Sequence, residues 1–348
     1  MKRLMVMLAF CLFISANVLA RDTRTTTGHL YEFEPNTFTE LVSDVRGDYL
    51  VTASCITNGS YREGRKNILL VHGLCHDGDG WEMTAGLLAD TFNDSVFRVC
   101  AVDMPGHGSS GWPERALLGN IGIDDYVRSI QVMTGAIVAY DELDDGELVL
   151  VGHSLGGMVI QATQQKLFEQ NSSLYYEYGI DDVVLIAPTL PEDVLWTTVY
   201  SVDVFSTLLK GLTFSSQGCL GESTKYEDWL ELFFIDSTTG NLYTTLPSQQ
   251  TVQYINSSEP CTAVMQMLGI DTNPGRPEIS AGIFAPTNLK IVSFSRDQYV
   301  STSELTALYS HLVGDNTGGI VTIDAPHDGI YTVPVVNPDA LVSVFSSL

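Results

Sequence analysis

Leu148-Val149-Leu150-Val151 is an unbroken aliphatic run, and Gly152-His153-Ser154-Leu155-Gly156-Gly157 follows it without a spacer. So short and apolar a run, opening at Glu147, predicts a strand buried on both faces, and residues 156–170 predict a helix. A buried strand that turns directly into a helix belongs in a sheet with helices packed on it. The turn has to hold Ser154 in a strained backbone conformation with its hydroxyl exposed. Glycines two residues to either side let strand and helix approach closely. The helix N-terminus directs its dipole and free N–H groups at the serine, which favours a developing negative charge.

The rest of the chain carries the same alternation. Residues 48–56, 67–71, 97–103, 182–186, 289–294 and 320–323 predict strands, and 81–92, 123–143 and 338–347 predict helices. The pattern is that of a mostly parallel, doubly wound α/β sheet. Between 188 and 286 the alternation stops, and helical pieces at 194–209 and 226–234 are separated by Gly, Ser and Thr. An insertion of that length is usually functional when it is ordered. We read it as a helical lid inserted before the penultimate strand, with a purely structural insertion as the other reading. The expected division is 1–20 signal peptide, 21–187 first part of the core, 188–286 lid and 287–348 second part of the core.

The N-terminal assignment rests on Lys2 and Arg3, an apolar run from Leu4 to Ile14, and small residues around Val18-Leu19-Ala20 before Arg21. That pattern is a secretory signal, and the run is short for a membrane span; an uncleaved anchor is the other reading. The expected location is periplasmic or secreted, with no stable membrane insertion after cleavage. Removing Lys2 and Arg3 leaves 15 basic residues against 42 acidic ones, a formal charge of −27 in place of −25. Such a surface repels phosphate backbones and anionic lipid, so no nucleic-acid partner is expected.

Five cysteines follow the signal segment: Cys55, Cys75, Cys100, Cys219 and Cys261. None forms a CxxC pair, so neither a zinc nor a redox site is expected. Export makes disulfides available. Cys219–Cys261 is the first expectation, Cys55–Cys100 the second, and one thiol is left over. His, Cys and acidic residues show no ligand-like spacing, so no metal or cofactor is expected.

Two further motifs end predicted strands. Leu69-Leu70-Val71-His72-Gly73-Leu74 offers the Leu74 N–H beside that of Leu155. Acyl transfer needs two such donors for the oxyanion of its tetrahedral intermediate. Asp103-Met104-Pro105-Gly106-His107-Gly108-Ser109-Ser110 is a glycine-rich loop with no following lysine, which reads as a tight turn rather than a phosphate cradle.

These three motifs, in this order and at these strand ends, resemble the α/β-hydrolase superfamily in its lidded members, over about residues 65–335. Val71 to His76 is also similar to the start of plant methylesterases and hydroxynitrile lyases. The superfamily resemblance implies the chain order nucleophile, acid, histidine. Ser154 is then the nucleophile. His327, after the last strand, is the general base, and Asp297, after the strand 289–294, is its orienting acid, with Asp324 or an acid after Ile186 as fallback. The family often has glycines where this chain has Phe294 and Pro326, which bears on loop geometry more than on roles.

The implied activity is hydrolysis of a carboxylic ester through an acyl-enzyme on Ser154. Amide, lactone or C–C bond hydrolysis, a lyase reaction on the same groups, and a non-catalytic binding protein are the alternatives. Aspartate-nucleophile dehalogenases and epoxide hydrolases are disfavoured by the serine at 154. Leu195, Trp196, Phe205, Trp229, Phe233 and Phe234 in the insertion suit either an apolar small-molecule ester or the packing of the lid itself.

Overall fold

The computed structural model describes residues 34–58, 64–117, 120–191, 226–247, 259–267, 276–285, 287–314 and 318–346. The expected signal peptide, Leu195, Trp196, Phe205 and Cys219 lie outside the described residues.

One sheet organises the chain. Its strands are β1 (Glu34–Val42), β2 (Tyr49–Thr57), β3 (Lys66–Val71), β4 (Val96–Asp103), β5 (Leu148–His153), β6 (Asp182–Ile186), β7 (Asn288–Phe294) and β8 (Ile320–Ile323). They lie in the order β1-β2-β4-β3-β5-β6-β7-β8. β2 runs antiparallel to both its neighbours, and every pairing from β4 through β8 is parallel. β4, β5 and β6 are buried at every position. A parallel strand buried on both faces needs a helical layer on each side. The helices are α1 (Glu82–Thr91), α2 (Ile123–Asp141), α3 (Leu155–Glu169), α4 (Leu174–Tyr178), α5 (Tyr226–Phe233), α6 (Cys261–Met267), α7 (Thr302–Val313), α8 (Gly329–Val336) and α9 (Pro338–Phe345), of which α1, α2, α3, α7 and α9 pack directly on strands. α1, α8 and α9 pack together, and so do α2, α3 and α4. α5 and α6 belong to the stretch between β6 and β7, before the penultimate strand.

Besides α4, α6 and α7, two elements that the sequence reading does not name have a physical reason for escaping it. β1 was not expected, because Glu34-Pro35-Asn36-Thr37 carries neither aliphatic character nor a clean period. It survives as an edge strand, where proline is tolerated, with register shifts at Glu34, Pro35 and Asn36. From Thr37 to Val42, the inward residues Phe38 and Val42 are buried. α8 follows His327 directly and contains Pro334, a residue that argues against a helix interior.

Cys55 and Cys100 face each other across β2 and β4 and form a disulfide. The pairing expected first, Cys219–Cys261, lies outside the described residues through Cys219. Cys75 is a buried free thiol. The bridge closes a separation of 45 residues. Replacing both of its cysteines with alanine is expected to cost about 2–4 kcal/mol. Urea unfolding of the double variant against the wild type measures this, and coincident curves would contradict it.

Among the described residues, no helix is long and apolar enough to cross a membrane. The segments that matter chemically all leave the same end of the sheet: Leu74 follows β3, Ser154 follows β5, Asp297 follows β7 and His327 follows β8. That is the carboxyl edge, where ligands bind in open α/β sheets.

Candidate active site

Ser154 caps α3 with φ 50° and ψ −117°, a conformation that costs a non-glycine residue about 1–3 kcal/mol. Its N–H donates to the Ile186 carbonyl at 2.9 Å, so the neighbouring strand pins the turn. The two flanking glycines are required by contact. A Cβ on Gly152 would lie 2.7 Å from the Gly156 carbonyl carbon, and one on Gly156 only 2.3 Å from the Val71 oxygen.

The loop after β8 brings His327 to this serine across 173 positions. The Ser154 hydroxyl donates to His327 Nε2 at 2.8 Å, and His327 Nδ1–H donates to Asp297 Oδ2 at 2.8 Å. Asp297 is buried, and its other oxygen accepts the N–H groups of Tyr299 (2.7 Å) and Val300 (3.2 Å). Of the fallback acids, Asp324 is exposed and bonded to Ser295 and Arg296. The first acids after Ile186, Glu192 and Asp193, lie outside the described residues.

Burial alone would lower the pKa of His327. The charge and hydrogen bond of Asp297 outweigh it, Asp328 adds to them, and the imidazole ends above its ordinary value of 6.5. Its ring lies between Phe233, nearly parallel at 6.4 Å, and Tyr299, edge-on at 4.7 Å.

Geometry of this kind, at the mouth of a mostly parallel sheet, can generate an alkoxide at neutral pH and store its proton on the imidazole. A family model described as "Alpha/beta hydrolase family" matches residues 68–343. The chain belongs to the alpha/beta hydrolase family. The carbendazim hydrolyzing esterase of Nocardioides sp. (strain SG-4G) is 34% identical over 136 residues, 37% of this chain and 50% of that protein. The chain spans about half the length of the curated relatives it matches. Among solved structures, the bromoperoxidase from Bacillus anthracis is similar with TM-score 0.59 and 16% identity, over 88% of this chain and 99% of that one. The thermophilic esterase from Thermogutta terrifontis gives TM-score 0.57 and 16% identity, over 89% and 98%. At such identity these two neighbours speak for the fold alone.

In this alpha/beta hydrolase the two residues whose amides are expected as oxyanion donors both belong to the surroundings of the serine. The Leu155 N–H opens α3, and Leu74 lines the cleft above Ser154. Among the described residues neither amide has a hydrogen-bond acceptor. The cleft is completed by Ala187, Pro188, Thr189, Leu190, Phe233, Met267, Tyr299 and Val300, so among the described residues its lining holds no Asp, Glu, Lys or Arg.

The remaining motif histidines support this arrangement. His72 donates from Nδ1 to the Gly73 carbonyl and accepts the Met104 N–H at Nε2, which requires a neutral ring; burial holds its pKa well below the ordinary value. His153, whose pKa burial lowers to about 3, donates Nε2–H to the His327 carbonyl at 3.0 Å and so fixes the backbone of that loop. In the glycine-rich loop, Asp103 accepts the N–H groups of Gly78 and Ser109, which makes the motif a built turn as expected.

Sequence reasoning missed two buried carboxylates. Asp328, next to His327 and without exposed surface, has one oxygen 3.1 Å from His76 Nε2 and the other 3.7 Å from His153 Nε2. Burial pushes its carboxyl up, but His76, His153 and His327 together hold it below the usual range. His76 also bonds the Tyr331 hydroxyl at 2.6 Å. Its only sequence signal was its place directly after the histidine. Ligand atoms of His153, His327 and Asp328 lie within 4.8 Å of one another. His327 already commits both nitrogens to Ser154 and Asp297, so a metal there would have to break that chain of bonds. Glu259 is the second missed carboxylate.

Proposed function

We propose that this alpha/beta hydrolase is a serine esterase that cleaves a small carboxylic ester with an apolar acyl or alcohol group. The bond chain Ser154–His327–Asp297 carries the proposal. Ser154 Oγ attacks the ester carbonyl carbon while its proton passes to His327 Nε2. Asp297 holds the Nδ1–H tautomer and stabilises the imidazolium. The Leu74 and Leu155 N–H groups take the oxyanion. Collapse of the tetrahedral intermediate expels the alcohol, which leaves with the proton from His327. Water, deprotonated by the same nitrogen, then clears the acyl group from Ser154.

Ester rather than amide chemistry is favoured by the carbendazim-hydrolysing relative, and an apolar substrate by the uncharged lining of the cleft. Residues 188–286 act as a lid in this scheme, in keeping with Phe233 and Met267 reaching the cleft from the insertion. Export is in keeping with the Cys55–Cys100 bridge, which suits an oxidising compartment.

A fluorophosphonate probe should label the wild type and not Ser154→Ala. A series of p-nitrophenyl esters of increasing chain length, run beside anilides, should show ester turnover that favours apolar acyl chains. Labelling that survives Ser154→Ala, or turnover of anilides alone, would overturn the proposal.

The pH profile follows from His327. A base must be neutral to accept the serine proton, so activity is lost as pH falls through its pKa. With that pKa above 6.5, the acid limb of kcat/KM should have its midpoint above 6.5. A midpoint at or below that value would mean that Asp297 does not govern the ring.

A further inference from the structure

Glu259 comes from the insertion and has no exposed surface. Its Oε2 accepts the Cys75 N–H at 2.8 Å and His107 Nε2–H at 3.1 Å, and its Oε1 accepts the Tyr126 hydroxyl at 2.6 Å. The donors belong to the turn after β3, the glycine-rich loop after β4, and α2. His107 Nδ1 also lies 3.2 Å from the Pro105 carbonyl, so both ring nitrogens face acceptors, an arrangement that favours the protonated ring. Burial would oppose that charge, but Glu259 overcomes it and raises the pKa. A buried carboxylate bonded in this way is rigid.

What it holds is the residue after Leu74. Cys75 has φ 61°, in the left-handed region that residues with a side chain avoid. The Leu74 and Cys75 N–H groups belong to consecutive peptides hinged at the Leu74 Cα, so holding the second restricts the positions open to the first. The carboxylate is itself fastened. The Ala263 N–H donates to the Ile121 carbonyl at 3.1 Å, and Gln266 Oε1 accepts the Ile123 N–H at 2.8 Å.

We propose that Glu259 is a positioning residue: its carboxylate fixes the Leu74–Cys75 peptide and so sets the Leu74 N–H for the oxyanion, making that donor depend on the docking of residues 259–267. The role rests on the serine-hydrolase function proposed above. Oxyanion donors act on the transition state more than on bound substrate, so their misplacement lowers kcat and leaves KM.

Glu259→Leu should lower kcat for p-nitrophenyl butyrate about 10- to 100-fold with KM within about twofold. The Ki of a trifluoromethyl ketone, which forms a tetrahedral adduct on the serine, should rise by the same factor. Glu259→Gln keeps an acceptor oxygen and should recover part of the lost kcat while staying below the wild type. A purely structural role would lower the unfolding temperature while kcat per folded molecule and Ki stay unchanged, and that result overturns the inference. If Glu259→Leu does not fold, Glu259→Gln decides. Its weaker, uncharged acceptor should lower kcat about threefold or more and raise Ki in parallel, and wild-type values for both overturn the inference. Activity that persists in Ser154→Ala would instead remove the hydrolase function on which it stands.

Discussion

Ser154→Ala is expected to lower kcat for ester hydrolysis by about a million-fold, and His327→Ala by nearly as much. The size follows from the single proton path. Among the described residues the serine hydroxyl has one acceptor, His327 Nε2 at 2.8 Å, and without it the hydroxyl remains a weak nucleophile. The two losses should not add. Nucleophile and base act in one step, so the double variant should be no slower than either single variant. What remains, about a thousand-fold or more over water, would come from the Leu74 and Leu155 amides and from binding. Stability should move the other way or not at all, because Ser154 is buried and held at φ 50° for its chemistry rather than for packing. The measurement is single-turnover and steady-state kinetics on p-nitrophenyl butyrate beside thermal unfolding of the same samples. A Ser154→Ala protein that keeps more than about 1% of wild-type kcat would exclude the serine as nucleophile.

Features that local geometry dictates were legible in the sequence. The turn at Gly152–Gly156 requires a buried strand before it and a helix after it, and both are present as β5 and α3. The parallel strands from β3 to β7 announced themselves by aliphatic runs, because most of their positions are buried on both faces. β1 did not, since an edge strand buries one face and can carry Pro35 and Asn36. α8 was hidden by Pro334, whose cost is offset by packing against α1 and α9. The meeting of His327 with Asp297 and Ser154 is a different matter. Nothing local links positions 154, 297 and 327, and only the resemblance to lidded hydrolases joined Asp297 and His327 to Ser154.

Glu259 shows where such reading ends. A lone glutamate in a polar stretch is the profile of a solvated side chain. Its burial depends on three donors that converge from residues 75, 107 and 126, and a one-dimensional pattern carries no trace of that convergence. The disulfide, the second of the two pairings expected, was legible only as two cysteines in strands. Cys55 and Cys100 pair because β2 lies beside β4 in one register, and sheet order is a property of the whole fold.

Asp297→Asn is expected to lower kcat about ten-thousand-fold while leaving the fold intact. The carboxylate has two jobs on its two oxygens. Oδ1 accepts the Tyr299 and Val300 N–H groups, and Oδ2 accepts Nδ1–H of His327. An asparagine in its place cannot choose freely which way to turn. The two backbone donors demand its carbonyl oxygen, so its NH2 must face His327 and donate to Nδ1. The imidazole then carries its hydrogen on Nε2, the nitrogen that has to accept from Ser154, and the proton path is closed. Nitrogen NMR of His327 should report Nδ1–H in the wild type and Nε2–H in the variant. The acid limb of whatever activity remains should also move to lower pH, because burial lowers the pKa of the ring once the aspartate charge that raised it is gone. A variant that keeps the wild-type tautomer and still loses activity would show that the charge of Asp297, and not its orientation of the ring, does the greater part.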